Sequence, residues 1–422
     1  MPSVEMRQLT FLEEGDGVVV GCAESDAYAV LPPDGAALLR LLGELPVDEA
    51  AARYARTYGE PVDIHDFLEA MADLGFIEVR EDSHDEPSHP RAAPPVRWHR
   101  AGQLLFSPVM AVLATALVAV AVVLATLDPA LRPHPGMVFF SNYLVLIEVV
   151  VAVGQVPLIL VHELCHVLAA RRLGVHARIR VGHRLYFVVF ETVMDGLVVV
   201  PRRQRYLPML AGMTADLVLA AGLTVGAAAT RGETGLAGVL SGVFLALSFT
   251  TLVRFGLEFV LFLRTDVYYL ILTLTGAHDL HGTSSQIVAN WCWRRLGRTE
   301  RLHDPALWHA TDVRAARWYT PVHLLGYALS FVMLATVLLP ISWRFLATAV
   351  SRILHPDLSS GPFYDAVLLL LLNLAQPAAA GALWLSERLR AERRPGKRSL
   401  SPASRRSPSR PPSAIDRSET TT

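Results

Sequence analysis

The sequence of 422 residues predicts a mainly α-helical, polytopic membrane bundle with a small N-terminal α+β domain. Three observations predict it. Hydrophobic residues make up 52% of the chain and charged residues only 18%, and that mean hides four regions: acidic at 1–82, polar and Pro-rich at 83–102, apolar at 103–386, and rich in Arg, Ser and Pro at 387–422. Six runs in the apolar region (103–127, 138–170, 207–229, 237–275, 320–342 and 363–386) reach the roughly 20 residues that a bilayer crossing needs. The second of them carries His162, Glu163 and His166 in the pattern H-E-x-x-H.

In the N-terminal region, residues 7–14 and 17–24 read as strands around the turn signal at 15–17, and AYAVL at 27–31 as a third. Helical spacing of apolar residues follows at 32–45, 47–59 and 62–75, the last two closed by Gly59 and Gly75, and FIEVRE at 76–81 returns as a strand. Three helices among short strands make a winged-helix-like domain. Its charge argues against nucleic acid: Arg7, Arg40, Arg53, Arg56 and Arg80 face about four times as many carboxylates, the reverse of what phosphate binding requires. An extended peptide added to an exposed strand edge fits better.

The stretch from Ala27 to Val79 resembles the PqqD-like domain, or RiPP recognition element: a strand, a small-residue helix start, Leu-Leu before a turn, a helix with Tyr near its end, and a final L-x-x-x-G-F-I type ending. The resemblance implies that the leader of a ribosomally made precursor peptide adds beside Ala27, Tyr28, Ala29 and Val30 and packs on the 62–74 helix. A regulatory or dimerising cap of the same shape is the other reading.

Residues 83–102 read as an extended linker that turns basic before the first span. The fourth run is too long for one straight crossing and is interrupted by Arg254, Glu258, Arg264 and Asp266, so a bend or break is expected there. Arg254 and Glu258, four apart, are expected to pair. Arginines cluster at 97–100, 171–180, 202–205, 294–301 and 388–398, whereas the loops at 132–136 and 231–235 are nearly neutral. Six spans with both termini cytoplasmic satisfy that asymmetry and put the H-E-x-x-H near the cytoplasmic end of its helix. Cys22, Cys165 and Cys292 form no C-x-x-C pair and suggest no disulfide framework. No basic and apolar signal peptide is indicated at the start. The basic tail is expected to be disordered and to meet anionic lipid.

On a helix, residues four apart share one face, so His162 and His166 can hold one Zn²⁺, with Glu163 beside them as a proton acceptor. Catalytic zinc usually takes a third protein ligand. Asp195, Asp216 and Asp266 compete for that place. Depth favours Asp266, with Asp216 as the alternative.

HELCHVLAARRLGV (162–175), LPMLAGMTADLVLA (207–220) and RTDVYYLIL (264–272) together resemble the site-2-protease family, particularly its bacterial peptide zinc metalloprotease branch, which joins a PqqD-like domain to the membrane core. Cys165 stands where Gly is usual, and Val267 replaces a Gly that follows the ligand aspartate. The resemblance implies a site-2-protease core, zinc held by His162, His166 and Asp266, Glu163 as general base, and cleavage of a precursor peptide at the cell membrane, with an exporter as a downstream partner. It also implies that 176–200 is a hairpin dipping into the bilayer to present substrate; an ordinary membrane-surface hairpin is the other reading. Glu148 is expected to make a polar helix contact or to line a water route, and His176, His183, His278 and His281 to be surface loop residues. The alternative functions are regulatory cleavage of a membrane-anchored anti-sigma-like protein and a non-catalytic peptide-binding or export component.

Overall fold

A computed structural model of the chain describes residues 3–14, 17–22, 27–59, 61–80, 96–184, 187–277, 279–305, 308 and 310–375. The expected tail at 387–422, the end of the expected sixth span, most of the linker and His278 lie outside them. The described residues are mainly helical, with a small sheet region at the N-terminus.

The N-terminal part contains strands β1 (Ser3–Met6), β2 (Leu9–Glu14), β3 (Gly17–Cys22) and β4 (Ala27–Leu31), helices α1 (Pro33–Leu42), α2 (Val47–Tyr58) and α3 (Ile64–Asp73), and strand β5 (Ile77–Arg80). Strands β2, β3 and β4 form an antiparallel sheet in that order. The strand expected at 7–14 is β2; β1, before it, is an additional strand that pairs with β5 outside this sheet. Val20, Leu38, Leu39 and Phe76 form a fully buried core between sheet and helices. Asp63 caps α3, accepting from the amides of His65 and Asp66, and Gly59 ends α2 in the left-handed region (φ 79°), where a Cβ is disfavoured.

Helix α4 (His99–Leu105) corrects part of the expected linker. Its Gly102 lies so close to the Leu168 carbonyl that a side chain would not fit, and His99 Nδ1 is 2.9 Å from the Arg171 carbonyl. Then come α5 (Pro108–Leu127), α6 (Leu144–Arg172), a ribbon of β6 (Arg178–Arg184) and β7 (Phe187–Val193), α7 (Arg202–Thr230), α8 (Leu236–Leu257), α9 (Asp266–Thr275), α10 (Leu280–Arg295), α11 (Ala310–Met333), a π turn at Leu334–Leu338, α12 (Leu339–Leu354) and α13 (Gly361–Ala375).

Among the described residues, five helices are long and apolar enough to cross a membrane: α5, α6, α7, α8 and the continuous Thr311–Leu354. The sixth expected run is helical over Gly361–Ala375. The expected break in the fourth run falls between Leu257 and Asp266. The fifth run overshoots its expected bounds. Its 44 residues at 1.5 Å each span about 66 Å, twice a hydrocarbon core.

Helix α7 packs against α5, α6, α8 and α9. Its buried face is made of small residues, among them Ala211, Gly212, Ala215, Ala220, Ala221 and Ala227, which let backbones approach where no hydrophobic effect drives helices together. Hydroxyls then link the pair: Ser248 Oγ donates to the Ala220 carbonyl at 2.9 Å and Ser241 Oγ to that of Ala227 at 3.0 Å. The chain divides into one compact unit over Met1–Ala366 and another over Val367–Thr422.

Candidate metal centre

One turn of α6 brings His162 and His166 to the same face, with ring centroids 4.9 Å apart and Nε2 atoms separated by 3.2 Å. Both side chains are buried. Asp266, the first residue of α9, comes in from the break in the fourth run. Its Oδ2 lies 2.9 Å from His166 Nε2 and 3.4 Å from His162 Nε2. The break is shaped for this. The chain reverses at Arg264, which adopts the left-handed region (φ 54°), and Glu258 closes the loop by accepting from the Asp266 amide at 3.0 Å. Val267 is the second residue of α9 with ordinary helical backbone. The left-handed turn falls at Arg264, three residues before Val267.

The tautomers follow from what each Nδ1 faces. His166 Nδ1 is 2.7 Å from the Pro208 carbonyl, which can only accept, so Nδ1 carries the proton. His162 Nδ1 faces Asp216 Oδ2 at 3.2 Å, an ion-pair contact out of hydrogen-bond alignment, and the negative charge there favours the proton on Nδ1. Both Nε2 atoms of the neutral rings then present lone pairs to one another and to Asp266 Oδ2, which is buried and takes no hydrogen bond among the described residues. In these tautomers the lone pairs converge on one point, an arrangement that suits a cation. His162, His166 and Asp266 can hold a metal ion. Space for one is kept by Gly212 on α7: a Cβ there would run into Nε2 of both histidines.

Asp216, the alternative third ligand, occupies a different position. It is fully buried and gripped by Arg254 through two guanidinium nitrogens. Arg254 Nη1 in turn donates to Gln155 Oε1 at 2.9 Å, and Gln155 Nε2 donates to Thr250 Oγ1 at 2.7 Å and Thr251 Oγ1 at 3.2 Å. The expected Arg254–Glu258 pair is therefore corrected: the guanidinium reaches across to α7, where a buried carboxylate needs its charge. This chain ties α6, α7 and α8 together and orients His162 from behind. Asp195 sits exposed in a 3₁₀ turn after β7, outside the converging group.

Glu163 is half-buried one residue along from His162. Its Oε2 accepts from Thr192 Oγ1 at 2.7 Å, and its carbonyl from the same hydroxyl at 3.1 Å. Thr192 belongs to β7, so the expected hairpin exists and touches the motif. Glu148 lies 14 residues back, about 21 Å along the helix. His176 is exposed as expected. His281 is a correction: it stands in the first turn of α10, packed on Tyr268 and His323, and burial together with Arg264 holds its imidazole below the ordinary range.

Comparison with family models, with curated proteins and with solved structures finds no match.

Ala27, Tyr28, Ala29 and Val30 form most of β4, the edge of the three-stranded sheet. Val30 is 61% exposed. This sheet rests on the 3₁₀ turn Asp195–Val199 that follows β7: Gly21 leaves no room for a Cβ against Val199, and Gly196 none against the Tyr28 hydroxyl. An ion pair between Glu14 and Arg205 closes the contact. Thr192, Gly212, the Pro208 carbonyl and Gln155 carry no local signal in the sequence, and Asp216 and Arg254, visible there as charges in apolar runs, carry none for their pairing.

Proposed function

We propose that the chain is an intramembrane zinc metalloprotease of the cell membrane, with the resemblance to site-2 proteases and PqqD-like domains as its family context. The observation that carries the reading is the convergence of three lone pairs, from His162, His166 and Asp266, beside a glutamate in the next position of the helix. Their spacings of 3.2, 3.4 and 2.9 Å match the roughly 3.3 Å between ligand atoms of a tetrahedral site with bonds near 2.0 Å. Two imidazoles and one carboxylate are a set that zinc accepts.

Zinc bound there supplies a Lewis acid that polarises a carbonyl and acidifies water. Glu163 takes a proton and returns it to the leaving amine. The Thr192 hydroxyl, donating to Oε2 at 2.7 Å, aims the carboxylate. Asp216, backed by Arg254, keeps His162 in the tautomer whose Nε2 is free. Asp266 contributes its negative charge, which leaves the filled centre at a net charge of about +1.

The substrate in this reading is a ribosomally synthesised precursor peptide whose leader pairs with the open edge of β4. The experiment is metal analysis of the detergent-purified chain, with cleavage of short peptides encoded in the same operon measured alongside. Wild type is expected to hold about one zinc. Asp266→Ala loses it, Asp216→Ala weakens it, and Glu163→Ala keeps the metal and loses cleavage. A wild-type protein without zinc, or a Glu163→Ala protein that cleaves normally, ends the protease reading.

A further inference from the structure

At the other end of α6, 18 residues and about 27 Å from His162, a cavity of about 300 Å³ is lined by Phe139, Ser141, Asn142, Arg344, Thr348 and Arg352, with others. Its charge is out of balance. The Arg344 guanidinium carbon stands over the Phe139 ring, 4.1 Å from its centroid, and the group has no carboxylate partner among the described residues. Arg352 Nη1 is 3.6 Å from Asp365 Oδ2, too long for a hydrogen bond, and it is buried without an acceptor. Asp365 is already engaged, taking the Leu144 amide at 2.6 Å and the Val145 amide at 3.0 Å to cap α6. Arg344 thus has no carboxylate among the described residues and Arg352 only a distant, committed one, beside an amide and two hydroxyls that can donate.

We propose that this cavity binds a phosphate group. A tetrahedral oxyanion offers several acceptors at once, and forked guanidinium donors match it. The cavity's surroundings favour a phosphate that carries apolar chains. Beside Arg344, Trp343 is 70% exposed, with Leu339 and Leu346 also exposed on α12. A tryptophan next to an arginine on a mostly apolar helix is how side chains settle at the level of lipid headgroups. The site does not depend on the metal centre.

The test uses the full chain in detergent or nanodiscs. Native mass spectrometry reads retention of phosphatidylglycerol against phosphatidylcholine, and calorimetry reads inorganic phosphate. Wild type is expected to retain one phosphatidylglycerol, and Arg344→Gln to weaken that retention about ten-fold, the worth of one charged hydrogen-bond donor. Arg344 serves because its only contact above is with a ring, so its loss leaves the Asp365 cap intact. Arg231→Gln, outside the cavity, controls for charge and should change nothing. If inorganic phosphate binds with the same dependence on Arg344 and phosphatidylglycerol does not, the site is a phosphate site for a soluble ligand. If neither probe responds to Arg344→Gln, the proposal is overturned. Zinc content stays at the wild-type level in every case, which keeps this outcome separate from the protease reading.

Discussion

At the scale of single residues, the centre depends on an atom that is missing from a side chain. Gly212 is needed because α7 passes so close to α6 that a methyl group would occupy the point to which both Nε2 atoms aim. Gly212→Ala is therefore expected to lose zinc, while helix content by circular dichroism stays unchanged, since alanine favours helix over glycine. Full metal occupancy in that variant would contradict the assigned centre. Asp216 makes a different point about residues. Fully buried beside an arginine, it is worth more facing His162 Nδ1 than as a ligand, because exchanging the guanidinium for a metal would leave the half-buried Arg254 without its carboxylate.

At the scale of elements, two interruptions of regular structure build the site. The gap between α8 and α9 lets Asp266 enter at the level of the histidines, and Glu258 keeps the gap closed on itself. The β6–β7 ribbon then supplies Thr192 to Glu163. Thr192→Val keeps the shape and removes the hydroxyl. It should lower kcat about ten-fold through the misaimed carboxylate, with zinc content unchanged. An unaltered rate would place the aiming of Glu163 elsewhere. The helical pair α6 and α7 contributes a rigid frame: the Pro208 carbonyl and Gly212 stand one turn apart on α7 and face the two histidines one turn apart on α6.

At the scale of the molecule, the N-terminal sheet and the membrane region meet at one turn. The turn at Asp195–Val199 follows directly on the strand that holds Thr192, and the sheet that carries β4 sits on it. A peptide held on β4 would thus be tethered a few residues from the strand position that meets Glu163. Glu14→Gln weakens the link to Arg205 without disturbing the bonds from Arg205 to the carbonyls of Val200 and Val198. It is expected to raise KM for a leader-bearing precursor about five-fold and to leave kcat on a leaderless peptide unchanged. Equal KM values would mean that delivery does not run through this contact.

The sequence alone determined the mainly helical membrane character, the short strands and three helices of the first 80 residues, the break near Asp266 and the facing of His162 and His166. These depend on local periodicity, turn chemistry and i to i+4 geometry, all of which are written within a few residues. It could not determine which aspartate joins the histidines, since Asp195, Asp216 and Asp266 each lie at least 29 positions from them. Nor could it pair Arg254 with Asp216, Thr192 with Glu163, or the cap of α6 with Asp365, 221 residues away. Those pairings depend on where the packed bundle sets β7, α9 and α13 against α6, and on how closely α7 and α8 approach across the small residues buried between them.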